Sequence, residues 1–512
     1  MSMILLVPAN TIAYLPGGDQ AADHLINGVA FPGINPATAL TDPITAVYKV
    51  NNDYNNISPR FGFAYNPHFG FFHDGKTVIH GGFGVYFDGD FSNIVVNSAQ
   101  SSPNAVAQTL TSTAQDGLAN SNTLISGITP ALSPLSSVLS VVNNLVNPYT
   151  YQFNFGLERE LPYNLKLTTN YVGSRGVKLF SNRMYNYFTP SNGTAATTRI
   201  NPNRGAISAR GNFATSEYNS LQAELSRSFV HGLTFRAAYT YSKDLDNASE
   251  IFATFASPAT YPADLSASGI RQDWGNSAWD HRNNVTVSYV WSPKGYNADN
   301  RFTNAVLGAF TRHWTISGVE RFQSGPYSTL NINGYDTNGD GTTTNDRPVV
   351  SNPIAPINTA AIDTTFLPTA AATGVAANPG VQGTYYSLNV YNAAATPTQP
   401  AHTKQLVDPA SVHFIIQRGQ NFLSQEVSRN SFLQPGYQQH DLAIEKGFGL
   451  SYAHFERGQL TLRAEANDVG NHNNVAPLGV NVALFGASSQ LNPVVSRTVS
   501  SRSLVLWATL KF

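Results

Sequence analysis

Apolar and polar residues alternate at period two through the last residues of the chain, SRSLVLWATLKF. One face of an extended strand would carry Leu504, Leu506, Ala508, Leu510 and Phe512, and the residues between them would lie on the other face. This spacing predicts a β-strand. Taken alone, the segment also fits a half-buried terminal strand of a soluble sheet. The rest of the sequence is needed to distinguish a soluble sheet from a membrane-spanning one.

Earlier segments repeat the same alternation and are rich in aromatic residues. A strand that crosses a bilayer at a tilt needs roughly ten residues, and the segments have that length. They are SPRFGFAYNP, TVIHGGFGVYFD, TYQFNFGLERE, NLKLTTNYVG, YNSLQAELSRSF, LTFRAAYTYS, RNNVTVSYVW, HWTISGVERF, QHDLAIEKGF and LTLRAEANDV. With the terminal strand, the sequence predicts about eleven antiparallel strands, and short strands hidden in loops would add to that number.

The links between these segments differ in length. LPYN after Glu160 and FVHG after Ser228 are short enough for hairpins, whereas 88–149, 174–216, 243–281, 324–436 and 469–500 are long. Short turns on one side and long loops on the other are typical of outer-membrane barrels. If the chain enters Phe61 from the long-loop side, the last strand ends on the short-turn side, in the periplasm.

Composition supports an all-β transmembrane protein over a soluble one. Charged residues are 12% and aromatic residues 11%, against roughly 25% charged residues in an average globular domain. No apolar run reaches the roughly 18 to 20 residues of a membrane-spanning helix, which leaves a closed barrel as the route across a bilayer. A soluble all-β protein would also have to contain loops well beyond the roughly 15 residues that compact domains tolerate.

Charge and cysteine content exclude other classes. The net charge is -1, which gives no reason to expect a nucleic-acid partner. The chain has 0 cysteines, so disulfides and thiolate chemistry are excluded. The start, MSMILLVPAN, has neither a basic region nor a cleavage site, and we interpret it as an internal start.

Several segments resemble, in order, the barrel hairpins of Oar-like TonB-dependent receptors. They include NNISPRFGFAYNP, DGKTVIHGGFGVYFD, YTYQFNFGLERELPYNLKLTTNYVGSRGVKLF, YNSLQAELSRSFVHGLTFRAAYTYSKDLDNAS and RNSFLQPGYQQHDLAIEKGF, and DHRNNVTVSYVW, WTISGVERFQSGPY and TLRAEANDVGNHNN continue the series. The resemblance covers residues 51–512 and leaves 1–50 as an irregular segment or loop remnant. It implies a non-enzymatic outer-membrane protein of a Gram-negative bacterium that contacts lipid.

The domains of Oar-like receptors that precede the barrel are expected to be missing from this chain. Oar-like receptors have a signal peptide, a carboxypeptidase-regulatory-like domain and a plug before the barrel, and nothing here resembles these parts. Barrels of this transporter class have 22 strands, so we expect an open half-barrel that transports nothing by itself. The resemblance implies energy from TonB, acting through the missing plug region. The sequence does not identify the substrate, and a peptide, a protein or a glycan all stay open. A passive pore or a surface adhesion or display barrel is the alternative.

The resemblance also gives the terminal strand a role. A final aromatic residue preceded by alternating apolar residues is similar to the signal that the outer-membrane assembly machinery recognises. Phe512 with Leu510, Ala508, Leu506 and Leu504 fits that signal.

One loop has the spacing of a metal site. In DTNGDGTTTNDRP, Asp336, Asn338 and Asp340 precede Gly341 as in the first half of an EF-hand calcium loop. The twelfth position is Arg347 instead of glutamate, and Asp346 comes one place early. The alternative is a polar Asx/Gly turn without metal; calcium would be the only cofactor.

Other polar residues have simpler explanations. The pairs His73–Asp74, Asp280–His281 and His454–Glu456 show no catalytic spacing, and they are expected to be solvated residues at strand ends. Four charged residues within strands are expected to line a polar lumen: Glu224, Arg236, Arg463 and Glu465.

Overall fold

The computed structural model describes the strands and part of the loops. The described residues are 2–6, 44–45, 53–89, 105–109, 138–142, 145–184, 186–188, 198–199, 206–252, 273–297, 299–332, 334–357, 361–367, 384–389, 405–407, 412–418, 425–449, 458–482 and 502–511. Phe512 and the pair His454–Glu456 lie outside them.

Eleven strands form one antiparallel sheet, in which each strand pairs with the next along the chain. They are β1 (Arg60–Tyr65), β2 (Thr77–Phe87), β3 (Tyr149–Leu161), β4 (Leu165–Met184), β5 (Ile207–Val230), β6 (Leu233–Asp246), β7 (Asn283–Trp291), β8 (Trp314–Gln323), β9 (Tyr437–Gly449), β10 (Gln459–Asn467) and β11 (Ser503–Lys511). Each corresponds to one predicted segment, so the predicted strands and their order are confirmed. Three short segments, Ile44–Thr45, Val138–Val142 and Gly275–Asn276, join the sheet at its margins.

The register separates an apolar face from a polar one. Residues directly opposite each other in an antiparallel pair share a face, and β11 pairs with β10 as Leu504–Ala466, Leu506–Ala464, Ala508–Leu462 and Leu510–Leu460. The residues between them, such as Trp507 opposite Arg463, lie on the other face. We call the apolar side the outer face and the polar side the inner face.

One end of the sheet carries the short links. Pro162–Asn164 joins β3 to β4, and His231 and Gly232 join β5 to β6. Gly232 has a φ of 81°, and a Cβ there would lie 2.1 Å from the Ser292 carbonyl oxygen. Glycine is therefore required at this turn for both conformation and space.

The link between β7 and β8, at the same end, contains a helix that the sequence analysis did not predict. This helix, α1, spans Arg301–Thr311. The Asn300 side chain caps it by accepting hydrogen bonds from the amides of Phe302 and Thr303, at 2.9 and 3.2 Å. Among the described residues, no helix is long and apolar enough to cross a membrane.

The long-loop end is folded beyond the main sheet. A smaller sheet contains Val349–Val350, Ile362–Leu367, Thr384–Asn389, Gln405–Val407 and Phe414–Ile416, and Tyr327–Ser328 pairs with Phe432–Leu433. These are extra short strands of the kind that the long loops were expected to contain. A buried apolar cluster packs beside them, formed by Leu330, Ile332, Phe414, Ile416 and Val482.

The first residues also contain strand. Within 1–50, where an irregular segment was predicted, Ser2–Leu6 pairs with Ala105–Thr109, and Ile44–Thr45 pairs with part of Val138–Val142.

The main sheet is open. Within the described residues, β1 pairs only with β2 and β11 pairs only with β10, so the two ends of the strand order do not meet. Because eleven strands alternate in direction, both edge strands run the same way. This agrees with the predicted half-barrel.

Candidate functional site

The inner face carries rows of paired charges. Arg236 on β6 forms an ion pair with Glu224 on β5, with 2.7 Å between Nη2 and Oε2. On β10, Arg463 Nε lies 2.6 Å from Glu465 Oε1, and the Trp507 indole N–H donates to the other Glu465 oxygen at 3.1 Å. All four charged residues predicted for the lumen therefore lie on the polar side of the sheet.

A concave region of this face has a volume of ≈ 650 Å³. It extends across β5 to β10, and its lining includes the hydroxyl and charged side chains of Ser226, Arg236, Ser288, Ser317, Asp441 and Arg463. These hydroxyl and charged groups can bind water or a polar solute, as in the polar interior of an outer-membrane barrel.

A second polar region lies among the loops at the long-loop end. Arg347 is placed between two carboxylates, with Nη2 2.9 Å from Asp273 Oδ1 and Nε 3.3 Å from Glu426 Oε2. All three side chains are buried. Burial raises the pKa of Glu426 to about 8, although the Arg347 guanidinium opposes the shift. The nearby carboxylate of Asp273 adds to the upward shift in the pKa of Glu426.

A neighbouring contact joins loops that are far apart in sequence. Arg429 forms an ion pair with Asp246 at 2.5 Å, and both side chains are 6% exposed. Next to it, the side-chain amide of Asn430 donates to the Asn276 carbonyl at 2.7 Å, and that of Asn276 donates to the Asn430 carbonyl at 3.1 Å. We call the residues of these ion pairs and amide contacts the loop cluster: Asp246, Asp273, Asn276, Arg347, Glu426, Arg429 and Asn430.

The predicted metal loop is folded as a hydrogen-bonded Asx/Gly turn. The Asp336 carboxylate accepts from the amides of Gly339 and Gly341, at 2.6 and 2.9 Å. The Asn338 side chain accepts from the Asp340 amide at 2.9 Å. Asp340 accepts from the Thr342 amide and from the Asn345 side chain, so its two oxygens both have donors.

Asp346 joins the same turn from its far end. Its Oδ1 accepts from the amide and hydroxyl of Thr337, both at 2.6 Å, and from the Asn338 amide at 3.1 Å. Its Oδ2 is buried without a hydrogen-bond partner. Burial raises the pKa of Asp346 to about 7, and the nearby carboxylates of Asp340 and Asp336 add to the shift.

The four predicted metal ligands are therefore close in space. Within the described residues, however, no three histidine or acidic side chains converge on one point in the manner of a metal site. Burial raises the pKa of Asp336, and the guanidinium of Arg199, which lies beside the turn, opposes that shift.

The histidine–acid pairs that the structure describes do not form catalytic arrangements. Asp74 binds Arg159 at 3.0 Å, and Asp280 binds Arg282 at 2.7 Å. His281 contacts the Ser324 carbonyl at 2.8 Å. The acids and histidines of these pairs thus stabilise strand ends and turns.

The outer face carries one ion pair that sequence reasoning missed. Glu320 on β8 lies directly opposite His440 on β9, and His440 Nδ1 is 2.5 Å from Glu320 Oε2. The Phe322 ring packs edge-on against the imidazole with 5.1 Å between ring centroids. The register places this pair in the same row as Ile316. In the sequence, only the alternation of strand positions could have indicated that Glu320 lies on the outer face.

A single-layer antiparallel sheet with an apolar outer face, a polar inner face, and links that are short at one end and long at the other defines a transmembrane β-barrel of the outer-membrane type. The family described as the outer membrane beta barrel domain matches residues 13–502. The chain belongs to this family, and its location is the outer membrane of a Gram-negative bacterium. Proteins of this family are generally non-enzymatic.

Three solved structures are among those that align with this chain. They are the transporter YddB from Escherichia coli (10% identity, TM-score 0.41), FpvAI in complex with pyocin S2 (11%, 0.35), and a mutant of the ferric enterobactin receptor PfeA from Pseudomonas aeruginosa (10%, 0.36). Each alignment covers 88% of this chain but only 40%, 33% and 39%, respectively, of the other chain. The chain thus spans well under half the length of these structures. No curated protein sequence matches it significantly.

Proposed function

We propose that this chain is the C-terminal part of the barrel of an Oar-like TonB-dependent receptor, which binds a substrate at the cell surface and imports it with energy from TonB. The observation that supports this most strongly is the eleven-strand open sheet. Its ordered match to the receptor hairpins extends from β1 to β11. The substrate class stays open among a peptide, a protein and a glycan.

The odd number of strands in the sheet supports a larger barrel. Closing β11 directly on β1 would create a parallel pair, because the two strands run in the same direction. Bacterial barrels are antiparallel with an even strand number, so closure needs an odd number of further strands. A second copy of this chain in the same orientation would again place parallel strands side by side. Eleven further strands would give the 22 of this transporter class.

Transport by this chain alone is not part of the proposal. An open edge in lipid leaves backbone N–H and C=O groups without partners, and each costs several kcal/mol. The TonB system would act through a plug region, and the outer-membrane assembly machinery would recognise the row Leu504, Leu506, Ala508, Leu510 and Phe512. Both are proposed partners.

A surface adhesion or display barrel is the second candidate, and the loop cluster favours it. Buried ion pairs such as Arg429–Asp246 hold the loops in one arrangement, and a rigid loop surface is suited to binding a macromolecule without importing it. A passive pore is a further alternative to import.

Conductance separates import from a passive pore. The protein is purified from outer membranes of cells that express the gene with its natural upstream sequence, and it is placed in planar bilayers. A plugged, energy-coupled receptor is expected to conduct only after urea loosens the plug, and to be retained by immobilised TonB. Steady conductance without urea, and no retention by TonB, would contradict the import proposal and favour the pore.

A further inference from the structure

The helix α1 lies at the short-link end of the sheet, between β7 and β8. Its polar side is turned to the protein. Arg312 donates to the Asn297 side chain at 2.6 Å, to the Tyr296 carbonyl at 3.3 Å, and to the side chain of Asn304. Thr311 accepts from the Tyr296 amide at 2.9 Å. Thr311 therefore faces the chain segment that precedes the helix, and Asn304 faces Arg312, which directly follows it.

The apolar side of α1 is turned away from the protein. Phe302, Val306 and Phe310 occupy positions i, i+4 and i+8, and they are 76%, 41% and 74% exposed. A surface helix of a soluble protein buries its apolar stripe against the core and shows its polar side to water. In α1 this arrangement is reversed, so the apolar stripe requires an apolar environment outside the protein.

The exposed stripe continues into the outer face of the sheet. Trp314, the first residue of β8, donates its indole N–H to the Phe310 carbonyl at 2.6 Å. It lies opposite Lys446 of β9, whose ammonium lies 5.1 Å from the Trp314 ring centroid and 5.5 Å from that of Phe448. Trp314 shares the outer face with Ile316, the next residue but one on β8.

These contacts form the end of the lipid-facing surface. Tryptophan, phenylalanine and lysine at a strand end are the residues that lie at a membrane interface, with rings at the level of the headgroups and the ammonium directed to polar atoms. The Lys446 ammonium donates to the Arg312 carbonyl, directly after α1. The C-terminal end of α1 therefore lies where the hydrocarbon region ends.

We propose that α1 is an interfacial helix whose Phe302, Val306 and Phe310 insert into the periplasmic leaflet of the outer membrane. The occupant of this face is phospholipid acyl chains, because the stripe is continuous with a surface that already faces lipid. Interfacial helices bury their apolar face about 5–10 Å into the boundary between headgroups and acyl chains. The proposal rests on the membrane location and on the orientation with short links in the periplasm, but not on import.

Residues 1–512 contain no cysteine (Cys 0), which permits a direct test once any cysteine of the natural upstream sequence is replaced by serine. Single substitutions Phe302→Cys, Phe310→Cys, Leu506→Cys and Asp299→Cys are each labelled with an environment-sensitive fluorophore. The protein, expressed with its natural upstream sequence, is reconstituted in phosphatidylethanolamine–phosphatidylglycerol vesicles, with or without nitroxide lipid. Aqueous iodide is the second quencher. Leu506 on β11 is the control for lipid, and Asp299, exposed just before the helix, is the matched control for water.

Labels at Phe302 and Phe310 are expected to be quenched severalfold more by nitroxide lipid than by iodide, as at Leu506, and the label at Asp299 is expected to show the reverse. Quenching of the helix labels by iodide, with Leu506 still in lipid, would overturn the proposal. Protection of the helix labels from both quenchers would overturn it as well, and would show that a protein partner or second copy covers the stripe. Quenching of the Leu506 label by iodide would show that the outer face of the sheet contacts water, and this would contradict both the membrane location and the proposal.

Discussion

Arg429 binds Asp246 with 2.5 Å between Nη1 and Oδ1, although 183 residues separate them in sequence. The same guanidinium also donates to the Asp246 carbonyl at 2.9 Å and to the Ser249 hydroxyl at 2.5 Å. The contact ties the loop after β6 to the loop before β9. It is buried, so the aspartate depends on the arginine for neutralisation.

Arg429→Ala should loosen the loops and leave the sheet intact. Removing one partner of a buried ion pair leaves an unpaired buried charge, and this costs about 3–5 kcal/mol. The expected result is faster hydrogen exchange in 273–280 and 425–434, with unchanged heat-modifiable migration of the barrel. Arg236→Ala is the matched control, because it removes an arginine from an exposed ion pair and should change loop exchange very little. Equal effects of the two substitutions would contradict a structural role for the buried pair.

The loop cluster should be more stable at acidic than at alkaline pH. The folded-state pKa of Glu426 is raised from 4.5 to about 8 by burial, so folding favours its protonated form. That contribution is fully present below about pH 4.5 and is lost as the pH rises through about 8.

Hydrogen exchange, corrected for intrinsic rates, measures this dependence. Protection of 425–430 is expected to fall by at least about tenfold between pH 5 and pH 9. Glu426→Gln, which keeps the shape and removes the charge, should flatten the dependence. Protection that rises with pH in the unsubstituted protein would show that the carboxylate is stabilised in its charged form.

Deleting Phe512 should reduce insertion of the full-length protein into the outer membrane. The resemblance assigns the terminal aromatic residue and its alternating partners to recognition by the assembly machinery, and β11 presents Leu504 and Leu506 on the outer face. Heat-modifiable migration of protein recovered from outer membranes measures insertion. Thr509→Ala, on the inner face, is the control and should insert normally. Normal insertion without Phe512 would show that the assembly machinery does not depend on this residue.

Calcium binding at Asp336, Asn338, Asp340 and Asp346 stays a prediction. The buried Oδ2 of Asp346 is available, while the oxygens of Asp336 and Asp340 already accept hydrogen bonds that an ion would have to replace. We therefore expect weak affinity, with a Kd of about a millimolar, as in extracellular calcium modules.

Calorimetric titration of the whole protein with calcium tests this, with Asp346→Asn as the variant expected to lose binding. Heat that does not saturate at millimolar calcium, or that is unchanged in the variant, would leave the segment as an Asx/Gly turn.

The sequence predicted the membrane-facing part of the fold because strand alternation is local. Roughly ten residues are enough to predict each of the eleven strands. Alternation alone puts the row Leu504 to Leu510 on one face, without reference to its partners in β10. The same pattern also placed Arg236 and Arg463 inside. Every strand has lipid on one side and water on the other, so every strand requires the same alternation of apolar and polar residues.

The loop cluster could not be predicted in this way. Arg347, Glu426 and Arg429 lie in polar segments without periodicity, and their burial depends on partners more than 70 residues away. Helix α1 was missed for a different reason: RFTNAVLGAFT is short, and its apolar residues are outside instead of inside. The pair Glu320–His440 breaks the alternation, and its two polar side chains contact each other across the strands.

Cross-linking of β1 to β11 tests most directly whether this sheet is an open part of a larger barrel. Phe61→Cys on β1 is combined in turn with Leu504→Cys, Leu506→Cys or Ala508→Cys on β11, and the protein is oxidised in isolated outer membranes. The pair Ala464→Cys and Leu506→Cys is the positive control, because these residues lie directly opposite each other. Opposed residues in a strand pair have Cβ atoms about 4.5–5.5 Å apart. We predict a disulfide in the control and none between β1 and β11; a disulfide from Phe61→Cys to any of the three β11 positions would show a small closed ring and contradict the half-barrel.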